Sequence, residues 1–219
     1  LKPALASSIA KYHMTEFART IVNDAMDIHG GRGIQMGPRN YLAQGYIAIP
    51  ISITVEGANI LTRNLILFGQ GAVRCHPYLR DEMDAITKKD MVSLDKLLIE
   101  HFSYSFKNLL KTFSFAFGLG HFFVDTPIKE LSYYYRQISR LSAALALVTD
   151  FTLIILGGSL KRKERLSARL GDVLSYLYMA SSVVRYVQDY PSSEEDRVYA
   201  QWGLDYCLYH IQYSQNQNL

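Results

Sequence analysis

Apolar residues return at three- to five-residue steps along almost the whole chain, and no run of alternating apolar residues between turn signals is convincing as a strand. That pattern confines the chain to helices. Residues 5 to 29 set Ile9, Met14, Phe17, Ile21, Ala25 and Ile28 on roughly one stripe, and Ile60, Leu61, Leu65 and Phe68 resume the spacing. Across residues 91 to 116, Leu94, Leu97, Leu98, Phe102, Phe106, Leu109 and Leu110 share a third face. Two more long helices are expected, from about Ile128 to Ile155 and from about Ser159 to Tyr190. A last helix opens at SSEED, where Ser192 and Glu195 have capping-box spacing. The expected fold class is all-α, a helical bundle.

The breaks divide this pattern. HGGRG, residues 29 to 33, ends the first helix, and a loop is expected through Pro38, Gly45 and Pro50. FGQG and CHPY interrupt the next helix near residues 69 to 78. Residues 1–78 therefore form a first block that could not stand alone, and residues 79–219 a second, opened by the charged LRDEMDAITKKD. GLGHFFVDTP, residues 118 to 127, reads as a connector, and Gly157 with Gly158 as a helix end.

At 219 residues, with 49% hydrophobic and 20% charged residues, the chain can bury a sizeable core. A net charge of +3 gives no case for nucleic acid. Cys75 and Cys207, with no CxxC, suggest neither a zinc site nor a disulfide framework and suit an intracellular protein. The chain begins LKPALASS, without Met or a signal peptide, and reads as a piece of something longer. Residues 141 to 158 approach the length of a membrane span, but Asp150 in their middle is costly in lipid, so a buried helix is expected.

Few residues invite a chemical reading. Glu56 lies ahead of a helix between Val55 and Gly57; the helix terminus favours a carboxylate there, and apolar neighbours would raise its pKa. A loop acid explains that placement as well as a general base does. The glycines of GGRG could let backbone approach a phosphate, but they follow a helix and not a strand, so they are no dinucleotide fingerprint. His29 reads as a capping or packing residue. Cys75 and His76 are adjacent and point apart on most backbones, so no metal site is expected. KRKER, residues 161 to 165, reads as a solvated helical face, and Tyr133, Tyr134 and Tyr135 as a half-buried one.

Taken together, DAMDIHGGRGI at 24 to 34 and TVEGANILTR at 54 to 63 resemble the C-terminal helical domain of acyl-CoA dehydrogenases, in order and in spacing. LILFGQGAVRCHPYL and LGGSLKRKERLSARLGDVLSYLY are similar to the bacterial long-chain branch, which carries an extra helical region. The resemblance implies that Glu56 is the base removing the α-proton of a fatty acyl-CoA while the β-hydrogen leaves as hydride to FAD. It also implies that the Glu56 backbone N–H polarises the thioester carbonyl, and that Gly57 keeps the backbone clear beside it. Gly30 and Gly31 match the turn that approaches the FAD of a neighbouring subunit, which implies a homo-oligomer. Asp27, Ala58 and Ile60 depart from the family pattern, leaving backbone and not side-chain contact with FAD there, and Val55 stands where many relatives have Tyr. An electron-transfer flavoprotein is the implied electron acceptor, the implied location is the bacterial cytoplasm, and contact with the inner membrane stays open. Two rival readings remain: a noncatalytic helical module for a protein or membrane partner, and an acyl-CoA oxidase passing electrons to oxygen.

Overall fold

The computed structural model describes residues 3–122, 124–190 and 193–216. Among the described residues every regular element is helical, as the periodicity requires. The first helix, α1 (Pro3–His29), starts on a proline, whose missing N–H costs nothing in a first turn. Its N-terminal half buries Leu5, Ile9 and His13, and Leu5 and Ile9 pack on Leu67. The expected stripe does not stay covered: Met14, Ile21 and Ile28 are exposed.

The loop expected through Pro38, Gly45 and Pro50 is instead largely a helix, α2 (Leu42–Thr54), with Pro50 inside it. Pro50 lies near the C-terminal end, where it removes a single backbone bond. The start is fixed by Asn40, whose Oδ1 accepts the N–H groups of Leu42 and Ala43, both at 3.0 Å. A four-residue turn then leads into a nearly continuous rod made of α3 (Asn59–Leu61), a π-helical stretch (Thr62–Gln70) and α4 (Gly71–Cys75).

The glycines at 69 and 71 do not break that rod; the break comes after Cys75. They admit neighbours. A Cβ on Gly71 would lie 2.8 Å from Leu5 Cδ2, and one on Gly69 would lie 3.4 Å from Ser167 Oγ. Phe68 and Leu67 on this rod are almost fully buried, each burial being worth about 1.5–3 kcal/mol.

The second block contains α5 (Leu79–Lys88), α6 (Met91–Ala116), α7 (Ser132–Leu156), α8 (Glu164–Asp189) and α9 (Glu194–Asn216). Lys89 closes α5 in the left-handed region at φ 56°, and Asp90 Oδ1 accepts the Ser93 N–H at 3.1 Å to open α6. α8 is central: Ala180, Val184 and Val187 pack on Ala200, Leu204 and Cys207 of α9, while Leu170 shares a cluster with Phe68. Tyr134 and Tyr135 pack partly buried on the α8–α9 core, as expected of a half-buried face, whereas Tyr133 is exposed. Burial pushes the Cys207 thiol up to about 11, which suits a packing residue and not a nucleophile.

The capping box of α9 forms one residue later than expected. Ser192 lies outside the described residues; Ser193 N–H donates to Asp196 Oδ2 at 3.0 Å, and Asp196 N–H donates to Ser193 Oγ at 3.1 Å. The expected buried helix at 141 to 158 is also revised. Lys129–Leu160 is long and apolar enough to cross a membrane by length and composition, and α7 packs on α6 and α8, yet Phe151, Ile154 and Ile155 are exposed. Asp150 nevertheless sits buried on its inner side.

Candidate active site

Glu56 stands on the turn between α2 and α3. Val55 closes α2 by donating to the Ile51 carbonyl at 2.9 Å, and the next two residues go left-handed: Glu56 at φ 53° and Gly57 at φ 96°. Glycine adopts that region freely. A glutamate pays roughly 1–2 kcal/mol of steric conflict to stay there, and such strain persists only where surrounding contacts fix it. The Glu56 side chain is exposed at the head of the rod.

The contacts that fix the turn come from α1. Lys11 Nζ donates to the Gly57 carbonyl at 2.8 Å, to Asn59 Oδ1 at 2.7 Å and to the Ile53 carbonyl at 3.3 Å. Buried Asn59 then donates through Nδ2 to Thr15 Oγ1 at 2.8 Å and to Glu16 Oε1 at 2.7 Å. Nothing local in the sequence marks Lys11, whose partners lie 42 to 48 positions away.

The paired glycines form a second exposed turn. Gly30, at φ 54°, and Gly31 follow α1 in a single 3-10 turn closed by the Gly33 N–H on the Gly30 carbonyl at 2.8 Å. Asn40 braces it, donating from Nδ2 to the carbonyls of Arg32, Gly33 and Gln35 at 3.1, 2.6 and 2.9 Å. An Asn just ahead of an apolar helical run is a signal that could have singled it out. His29 packs as expected, its Nδ1 on the Ala25 carbonyl and its Nε2 accepting from Tyr41 Oη at 3.2 Å. Beyond their adjoining residues in the chain, nothing lies within 4 Å of where a Cβ on Gly30 or Gly31 would sit, and both are exposed, so they present bare backbone to solvent. That suits close approach of a bulky cofactor.

These two turns do not meet within the chain. Lys11, which holds the first, and His29, which precedes the second, are 18 residues apart on α1, so at 1.5 Å per residue the turns lie roughly 27 Å apart along that helix. Gly57 sits by Glu56, with only Thr62 Oγ1, at 3.8 Å, near its missing Cβ. Of the departures from the resemblance, Asp27 is exposed and Ile60 and Val55 are largely so.

Local sequence reading also missed a buried polar cluster. His76 Nε2 donates to Asp150 Oδ1 at 2.8 Å, Ser105 Oγ donates to Asp150 Oδ2 at 2.5 Å, and His101 bridges Glu82 Oε1 at 2.7 Å and Asp150 Oδ1 at 3.5 Å. Burial works to raise the Asp150 pKa, but the His76 and Ser105 hydrogen bonds outweigh it and hold the carboxyl below its ordinary range. Atoms of His76, His101 and Asp150 lie within 4.8 Å of one another, a spacing open to a metal. The tautomer of His76 opposes one. Its Nδ1 accepts the N–H groups of Tyr78 and Leu79, both at 3.2 Å, and a metal on Nε2 would drive the ring proton onto Nδ1 against those two donors. The cluster ties α5, α6 and α7 together beside a cleft of about 620 Å³ lined by Phe102, Phe106, Phe151 and Ile154.

Arg63 on the rod makes a bidentate pair with Asp172 of α8, and Gly171 lets α8 pack close beside it, since a Cβ there would lie 3.2 Å from the Arg63 carbonyl oxygen. The helix behind Glu56 therefore rests on the second block. Two family models match the chain. One, described as acyl-CoA dehydrogenase, C-terminal domain, covers residues 2–69. The other, described as acyl-CoA dehydrogenase, C-terminal, bacterial type, covers residues 73–219. No solved structure matches the chain.

Proposed function

Since the chain belongs to the acyl-CoA dehydrogenase family, we propose that it is the C-terminal part of an FAD-dependent enzyme that converts long-chain fatty acyl-CoA to trans-2-enoyl-CoA in fatty-acid β-oxidation. One observation carries this reading: Glu56 is held exposed, in left-handed backbone, by contacts from another helix. A solvated loop acid needs no such arrangement, whereas strain of this kind gathers at functional sites.

In this reaction the Glu56 carboxylate takes the α-proton of the thioester. That proton is far too weakly acidic for a carboxylate in water, so the charge developing on the carbonyl must be stabilised. The Glu56 backbone N–H donates to that oxygen, and Gly57 leaves the approach clear. Bound substrate excludes water from the carboxylate and makes it a stronger base. FAD, when bound, supplies the acceptor for the hydride leaving the β-carbon. Gly30 and Gly31 would hold the FAD of a second copy of the chain, which the separation of the two turns supports, so the active unit is a homo-oligomer. Electron-transfer flavoprotein is the proposed electron acceptor.

Anaerobic mixing of the full-length protein with palmitoyl-CoA tests the reaction. Bleaching of the flavin absorbance and formation of the 2-enoyl thioester are expected. Full-length protein that purifies without flavin and makes no enoyl thioester overturns it and favours a noncatalytic helical module.

A second role, for the region after residue 79, is favoured by the open apolar face of α7, where Phe151, Ile154 and Ile155 precede the exposed cations Arg162, Lys163 and Arg165. We assign that face to contact with an anionic bilayer at the cytoplasmic side of the inner membrane, apolar residues entering the headgroup layer and cations its phosphates. Co-sedimentation with phosphatidylglycerol vesicles is expected, and Ile154→Asp with Ile155→Asp should abolish it. Equal sedimentation of that double variant contradicts the assignment.

A further inference from the structure

We infer that Lys11 is a positioning residue for the Glu56 base, holding the catalytic turn in its productive conformation from helix α1. The inference rests on the reading of Glu56 as the base. It adds the residue that keeps a strained base in place.

An ammonium group has three N–H donors and no acceptor. Here each has one partner, and the partners bracket the turn: the Ile53 carbonyl before it, the Gly57 carbonyl within it, and the Asn59 side chain after it. The Ile53 carbonyl belongs to the last turn of α2, where carbonyls lack helical partners and a cation is favoured. Asn59 extends the tie to Thr15 and Glu16, one turn further along α1. Five hydrogen bonds thus fasten residues 53 to 59 to a 27-residue helix.

What they hold does not hold itself. The left-handed Glu56 would relax toward right-handed backbone if the carbonyl of Gly57 were released, because that rotation relieves its Cβ. Relaxation would swing both the carboxylate and the backbone N–H that polarises the thioester. A shift of about 1 Å at a reacting group costs on the order of 100-fold in rate. Lys11 itself need touch neither substrate nor flavin.

The test uses the full-length protein and compares wild type, Lys11→Met, Asn59→Ala and Glu56→Gln in single-turnover anaerobic reduction by palmitoyl-CoA. For Lys11→Met the rate constant should fall about 100-fold, with flavin content and substrate dissociation constant near wild type. The α-deuterium isotope effect on reduction should rise, because proton removal becomes more limiting. A loss of folded molecules would lower the amplitude and leave the rate constant and isotope effect alone. Independently of flavin, hydrogen–deuterium exchange should quicken in residues 55 to 62 and stay unchanged in α8 and α9. Asn59→Ala, which keeps both carbonyl contacts, should lose about 10-fold, and it carries the test by the same criteria should Lys11→Met not fold. A rate constant within twofold of wild type, or unchanged exchange at residues 55 to 62, overturns the inference. Wild-type speed in Glu56→Gln instead overturns the base assignment, whatever Lys11→Met does.

Discussion

Arg63 donates to both carboxylate oxygens of Asp172, from Nε at 2.9 Å and Nη2 at 2.6 Å, joining the helix that begins behind Glu56 to the central helix of the second block. The Asp172 side chain is nearly buried and that of Arg63 one-third exposed, at 10% and 34%. The pair therefore lies between a surface bridge and a buried one.

Removing one partner leaves the other short of bonds in a poorly solvated place. Asp172→Ala should lower the unfolding free energy by about 2 kcal/mol, less than the 3–5 typical of a fully buried pair. Urea denaturation measures it, and Arg63→Met with Asp172→Leu should recover most of the loss, since packing replaces the charges.

Glu56 offers a trade between stability and activity. Glu56→Gly relieves the left-handed strain and should raise the unfolding free energy by about 1 kcal/mol while removing the base. Glu56→Gln keeps the strain and should leave stability within about 0.5 kcal/mol of wild type. Equal effects of the two on stability would contradict a strained turn.

His13 gives a pH dependence. Burial, with the nearby His210 as a smaller cause, pushes its pKa from 6.5 down to about 4, and its Nε2 has no hydrogen-bond partner. The unfolded chain binds the proton first as pH falls, so stability is fully present above pH 6.5 and declines from there toward pH 4. The decline amounts to roughly 3 kcal/mol at about 1.36 kcal/mol per pH step. His210 is lowered too, mainly by burial, and adds to the loss with the same sign. His13→Phe, which fills the same place among Tyr12, Phe17 and Tyr176, should flatten the stability profile between pH 6.5 and 4, read by urea denaturation at each pH.

The helices themselves were legible in sequence. α6 spans Met91–Ala116, as its apolar face indicated, because a long amphipathic run leaves little choice of period. Gly45, Pro50, Gly69 and Gly71 mislead as punctuation: Gly45 and Pro50 lie inside α2, and Gly69 and Gly71 admit Ser167 and Leu5 in close contact. Glu56 could be picked out because it lies inside a compact motif. Its support could not: Lys11 and the His76–Asp150 pair act across 42 to 74 positions, and one sequence carries no signal linking residues that far apart.

Glu56 as the base for α-proton removal is tested most directly by anaerobic reduction of the full-length protein with palmitoyl-CoA, wild type against Glu56→Gln. Fast bleaching of the flavin in wild type is expected, with a loss of about four orders of magnitude in the variant while flavin stays bound. Equal bleaching in the two proteins would move the base elsewhere and leave Glu56 a strained acid at a helix end.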